Sequence, residues 1–231
     1  MATLRSEDEQ IEALKRWWKA NGWSTVLGIV VALALYLGWQ NWQARQLQYG
    51  AEASARYQQF LLMVQTLEQS PTDAQLAKAS QWVENFKDEF GDTTYAQFAA
   101  LLLARFQVID GDLEGAEEQL SWVLDKRPDT ATEHLTQLRL ARVLFAQGDN
   151  DAAMAIAEQF EDSAFAAEFS ELQGDISSED GDLDAARDYY QRALNREAGG
   201  DGASYSAGNP MVQLKLDSLA VGEDAAAGQE G

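Results

Sequence analysis

The 231-residue chain carries 38 acidic against 17 basic residues, a formal net charge of −21, and no cysteine. Without thiols there can be no disulfide, thiol nucleophile, zinc-thiolate site or lipidated N-terminal cysteine, and the acidic excess argues against nucleic acid as a partner. Five basic and four acidic residues lie up to Arg45, leaving 12 and 34 beyond it, so the C-terminal part is strongly acidic and suited to staying in solution rather than docking on anionic lipid.

Residues 1–20 form a short polar arm. Ser6, three residues before Glu9, opens an expected capping box, and Ile11, Leu14, Trp17 and Trp18 share one side of the helix it starts. Asn21-Gly22 is expected to interrupt or kink that helix.

Residues 21–44 are the stretch around which the chain is organised. No charge occurs from Ala20 to Ala44, between Lys19 and Arg45. A hydrocarbon layer about 30 Å thick is crossed by roughly 20 apolar residues at 1.5 Å each, so this run is long enough to span a bilayer. Trp17, Trp18 and Trp23 mark one margin and Trp39 and Trp42 the other, where an indole keeps its ring in lipid and its N–H among headgroups. Arg5, Lys15, Arg16 and Lys19 precede the span while only Arg45 and Arg56 follow closely, which predicts a cytoplasmic N-terminus. The residues after the run, Gly38 to Ala44, place Trp42 where signal cleavage needs a small side chain, so the segment reads as an uncleaved anchor. Ser24, Gly28 and Ala32 fall on one stripe at four-residue spacing, a candidate surface for packing against another helix in lipid.

The region 45–220 is predicted to be one all-helical domain outside the cytoplasm. Tyr49, Ala53, Tyr57, Phe60, Val64 and Leu67 recur at helical spacing, Ser70-Pro71-Thr72-Asp73 supplies a stop and a new cap, and Leu76, Ala79, Val83, Phe86 and Phe90 continue the rhythm to Gly91. The domain therefore opens with a helical hairpin.

From Tyr95 the pattern repeats. Gly111-Asp112, Gly148-Asp149 and Gly181-Asp182 recur at separations of 37 and 33 residues, each between two apolar helical stretches. The first unit reads Tyr95, Phe98, Leu102, Phe106 and Ile109, then Ala116, Leu120, Val123 and Pro128. The second reads Leu138, Ala141 and Phe145, then Ala153, Ile156 and Phe160. The third reads Phe165, Phe169, Leu172 and Ile176, then Ala186, Tyr189, Tyr190, Ala193 and Leu194. Glycine can end the first helix in a left-handed conformation and aspartate can cap the second, so each unit is a hairpin that must stack on its neighbours to bury its apolar stripe.

This period resembles the tetratricopeptide repeat. Ala104, Ala141 and Gly174 occupy its small position 8, Ala116, Ala153 and Ala186 its position 20, and Leu120, Ala157 and Tyr190 its position 24. The fold class expected is thus all-α: one transmembrane helix followed by a tetratricopeptide-like α-solenoid. Gly199 to Ser204 reads as a flexible break, Met211 to Leu219 as a short capping helix, and residues 221–231 as a disordered tail.

No residue set supports catalysis or a cofactor. His134 stands alone between Glu133 and Leu135, and one histidine without cysteine makes neither a metal site nor a nucleophile–base pair. Asp180-Gly181-Asp182-Leu183-Asp184 imitates the start of a calcium loop, but Ala185 replaces the required glycine and Gln191 the bidentate glutamate. These acids are better suited to capping a helix.

Several segments are similar to the YfgM-type ancillary subunits of the bacterial SecYEG translocon. They are Ile11-Glu-Ala-Leu-Lys-Arg-Trp-Trp18, Gly38-Trp39-Gln-Asn-Trp42, Thr94-Tyr95-Ala96, Leu138-Arg-Leu-Ala-Arg-Val143 and Met211-Val-Gln-Leu-Lys-Leu216, in that order. The resemblance implies a single-pass inner-membrane protein with a periplasmic repeat domain. It further implies association with the SecYEG channel and a PpiD-type periplasmic chaperone, aid in passing nascent secretory proteins to periplasmic chaperones, and a link between the cytoplasmic arm and a stress-response regulator. A structural scaffold organising a cell-division or secretion complex would use the same architecture. Crosslinking at Ala99 or Arg142 is expected to separate the two, many clients indicating the first and one stable partner the second.

Overall fold

The computed structural model describes residues 7–67, 72–160, 163–199 and 209–227, all in helices and their connections. Ser6, Ser70 and Pro71, and the expected flexible break beyond Gly199, lie outside the described residues. The chain divides into two compact units at Ala55/Arg56, each considered by itself.

The first unit is the N-terminal part of α1, a helix running Glu7–Leu67. It passes through Asn21-Gly22 without the expected interruption. The Asn21 amide donates to the Trp17 carbonyl at 3.3 Å, the Thr25 hydroxyl donates to the Asn21 carbonyl at 3.0 Å, and the Trp18 indole lies over Gly22. These bonds return both side chains to their own helix, and the ring covers the gap left by the missing Cβ. Beyond this point the aliphatic side chains are exposed in every direction around the axis, Leu27, Ile29, Val30, Leu33, Leu35 and Leu37 among them. An apolar helix with no polar face is matched to lipid rather than water, and its length and composition suffice to cross a membrane. Paired indoles mark the margins, Trp17 with Trp18 at 6.4 Å and Trp39 with Trp42 at 5.2 Å between ring centroids.

In the second unit the C-terminal turns of α1 face α2 (Asp73–Phe90) through a ladder of rings. Phe60 stacks on Trp82 at 4.6 Å, Trp82 on Phe86 at 4.6 Å, and Phe86 meets Phe90 at 5.1 Å. Thr72 starts α2 with a full capping box: its hydroxyl accepts from the Gln75 N–H, and the Gln75 side chain accepts from the Thr72 N–H. The buried residues of α2 are the five that the periodicity selects, Leu76, Ala79, Val83, Phe86 and Phe90.

Three hairpins follow: α3 (Thr94–Asp110) with α4 (Leu113–Asp125), α5 (Thr130–Gln147) with α6 (Asn150–Gln159), and α7 (Ala166–Glu179) with α8 (Leu183–Gly199). Each helix packs on the next, and α5 also touches α7, so the first helices of the second and third hairpins lie side by side. The small residues at position 20, Ala116, Ala153 and Ala186, are all fully buried where the two helices of a hairpin meet. α3 departs from expectation: Ala96, Ala99, Ala100, Leu103 and Phe106 form its core face, whereas Phe98 and Ile109 are exposed. α3 is apolar nearly all round, so periodicity alone could not choose among its faces.

The last helix, α9, runs Pro210–Ala227 and is longer than the Met211–Leu219 segment expected. Val212 and Leu219 pack with Ala186, Tyr190 and Ala193 of α8 in one cluster. Helix continues to Ala227 where a disordered tail was expected, in keeping with the strong helix preference of the alanines at its end.

Candidate functional site

The three Gly-Asp pairs sit where the sequence places them, at the turns inside the hairpins. Gly111, Gly148 and Gly181 have φ of 86°, 86° and 83°, a left-handed conformation costly for any residue with a Cβ. Asp112, Asp149 and Asp182 then accept from the Gly115, Ala152 and Ala185 N–H groups at 3.0, 3.1 and 3.0 Å. These residues shape the scaffold. Ser24, Gly28 and Ala32 are exposed on α1, and a Cβ at Gly28 would meet nothing within 4 Å.

His134 is half-buried with its ring edge-on to Phe160 at 5.1 Å, a packing role. The acids of the supposed calcium loop are engaged locally. Asp180 accepts from the Asn150 amide at 2.8 Å, Asp182 caps α8, and Asp184 pairs with Arg187 at 3.0 Å. Among the described residues no group of three or more histidine, cysteine or carboxylate ligands is gathered for a metal ion.

The surface capable of recognition is the row formed by the first helices. Between α3, α4 and α5 lies a cavity of about 320 Å³, walled by aliphatic side chains such as Val108, Ile109, Leu113 and Val143 and rimmed by Arg105, Arg139 and Arg142. The arginines come together because the repeats superimpose: Arg105 lies six residues before Gly111 and Arg142 six before Gly148, so they occupy equivalent places on neighbouring helices. Arg139 is one turn earlier on α5. Burial, and then the like charges of Arg105 and Arg142, hold its guanidinium below the usual arginine pKa. Signals for this cluster existed in the sequence as that shared offset, which a search for catalytic or metal spacing does not test.

The corresponding place in the third repeat is Asp175, which reverses the charge along the row. Lys215 of α9 donates to Glu171 and to Asp175, each at 2.8 Å, and Arg142 reaches Glu171 more loosely at 3.8 Å. The Tyr190 hydroxyl donates to Asp175 at 2.8 Å. Burial opposes the charge of Lys215, but its hydrogen bonds and charge pairing with Asp175 and Glu171 outweigh that and raise its pKa. Burial first, then Asp175, raises the Tyr190 phenol too. Of the two crosslinking positions chosen from the sequence, Arg142 is exposed on this surface, whereas Ala99 is fully buried in the core and unsuited to the purpose.

Fold and surface together define a class, that of tetratricopeptide-like repeat proteins with an N-terminal apolar helix followed by stacked hairpins. The sequence matches the tetratricopeptide repeat-like domain over residues 15–221. It is 32% identical over 219 residues to a protein of Haemophilus influenzae, covering 95% of this chain and all of that one, which is named an ancillary SecYEG translocon subunit. Proteins of the same name from Escherichia coli and Aggregatibacter actinomycetemcomitans are each 29% identical over 96% and 95% of this chain and over their full lengths. The chain belongs to this family of ancillary SecYEG translocon subunits. Among the described residues one helix, near the N-terminus, is long and apolar enough to cross a membrane, which fits a single-pass protein of the inner membrane.

Proposed function

We propose that the protein is an ancillary subunit of the SecYEG translocon that offers its repeat domain as a protein-binding surface and aids transfer of translocated proteins to periplasmic chaperones. The observation that carries this reading is the pairing, in one chain, of a lipid-matched helix with a groove formed by stacked hairpins, matched end to end by relatives named for that translocon. The anchor spans residues 21–44, the arm before it stays in the cytoplasm, and the domain 45–220 faces the periplasm. That orientation is supported by the basic residues ahead of the span. Ser24, Gly28 and Ala32 give a partner helix a close approach within the bilayer. A PpiD-type chaperone and nascent secretory proteins are the partners on the periplasmic side, and a stress-response regulator is the partner of the cytoplasmic arm.

A photoreactive residue at Arg142 tests the transfer role in cells. Adducts of many sizes that disappear when translation initiation is blocked support it. A single unchanging adduct would instead mark a fixed envelope scaffold.

A further inference from the structure

We propose that the cleft between α3, α4 and α5 binds a peptide segment in which aliphatic and acidic side chains alternate. Arg139 and Arg142 take the carboxylates, and an aliphatic side chain enters beside Val108, Ile109 and Val143. The inference rests on reading the repeat domain as a protein-binding surface and adds the chemistry of what it binds.

Three observations lead to this occupant. First, the cleft is a formed concavity of about 320 Å³ with apolar walls, and two of its aliphatic residues are left open to water, Val108 at 42% and Ile109 at 61% exposure. Such a space favours an aliphatic guest. Second, Arg139 is half-buried and has no carboxylate partner among the described residues, in a chain where acids outnumber bases by 38 to 17. Other basic side chains of the domain do have one: Lys87 has Glu84 at 2.8 Å, Arg187 has Asp184 at 3.0 Å and Lys215 has Glu171 at 2.8 Å. Third, Arg139 sits with Arg105 and Arg142 at the same rim, so desolvation and like charge both oppose its ionised form. A guest carboxylate relieves both costs, and the planar guanidinium fork matches it with two parallel hydrogen bonds.

The magnitude of the positive patch limits the guest. A small guanidinium cluster, one member of which already reaches Glu171, in a domain with 34 acids against 12 bases can neutralise one or two carboxylates, not a polyanion or an anionic membrane surface. A short acidic-aliphatic peptide meets both the charge and the apolar walls.

The test uses the full-length protein in detergent micelles and a fluorescent peptide, Leu-Glu-Leu-Asp-Leu-Glu-Leu, with a counterpart carrying Gln and Asn for the acids. Fluorescence anisotropy is expected to show the acidic peptide binding at least about tenfold more tightly than the neutral one. Arg139→Gln should remove that advantage and Arg142→Gln, at an exposed position that does not threaten folding, should reduce it. Arg139→Lys should restore only part, because the fork is lost while the charge remains. Equal affinity for the two peptides, no binding of the acidic one, or indifference to both Gln substitutions overturns the proposal. So does capture by phosphatidylglycerol vesicles that depends on Arg139 while the peptide fails to bind. Recovery of SecYEG with the same preparations is scored separately. Loss of acid preference with the translocon retained sinks this inference alone, and absence of the translocon from the unmodified protein sinks the functional reading instead.

Discussion

Gly174 of α7 lies directly under the ring of Tyr190 of α8: a Cβ at Gly174 would come to 2.5 Å from both Cδ1 and Cε1 of that ring. The same two repeat positions hold Ala104 with Leu120 and Ala141 with Ala157 in the earlier hairpins, so the small position shrinks to glycine only where its counterpart is a large ring. Gly174→Ala should therefore destabilise the domain by about 1–3 kcal/mol, despite alanine's better helix propensity, because the ring must shift within a packed core. Tyr190→Leu introduced alongside it should recover a good part of the loss. Denaturant unfolding of the single and double variants measures this coupling.

Gly148 poses the opposite case. A Cβ there meets nothing within 4 Å, yet its φ is 86°, so any cost of Gly148→Ala comes from the backbone alone. The expected loss is about 1–2 kcal/mol, and Asp149→Ala beside it should cost about 1 kcal/mol through the unmade cap. Because the two act on one turn, their thermal-unfolding effects should not add fully.

Alkaline pH should loosen the C-terminal end of the stack. Lys215 and Tyr190 both have folded-state pKa values raised above their unfolded ones, so the folded chain keeps protons the unfolded chain has released. Stability is then fully present below about pH 10 and falls as pH rises through the folded values. Lys215→Met should flatten this decline between about pH 10 and 11 while lowering stability at neutral pH, as read from melting temperature against pH.

Much of this architecture was legible from residue order because the physics was local. The stripe Leu76, Ala79, Val83, Phe86 and Phe90 has one apolar face and one solution, and a left-handed glycine followed by a capping aspartate fixes each turn wherever it occurs. α3 was less legible, since an almost wholly apolar helix acquires its buried face from neighbours, and the exposed Val108 and Ile109 became part of a cleft. The Arg105, Arg139 and Arg142 cluster is a tertiary product: it exists because one hairpin stacks on the next. Asn21-Gly22 misled for a different reason, its breaking tendency being offset by side-chain bonds within the helix and by the Trp18 ring.

Orientation can be read cleanly because the chain has no cysteine. A Glu158→Cys variant places one thiol at an exposed site of α6, and a membrane-impermeant maleimide should label it on intact spheroplasts. Labelling only after the spheroplasts are lysed would reverse the proposed topology.

The most direct measurement is recovery of the intact protein from membranes in mild detergent, with its companions identified by mass spectrometry. SecY, SecE and SecG are expected to co-purify with it, and a variant lacking residues 1–44 should not retain them. Recovery of the intact protein free of all three channel subunits would contradict its assignment to the translocon.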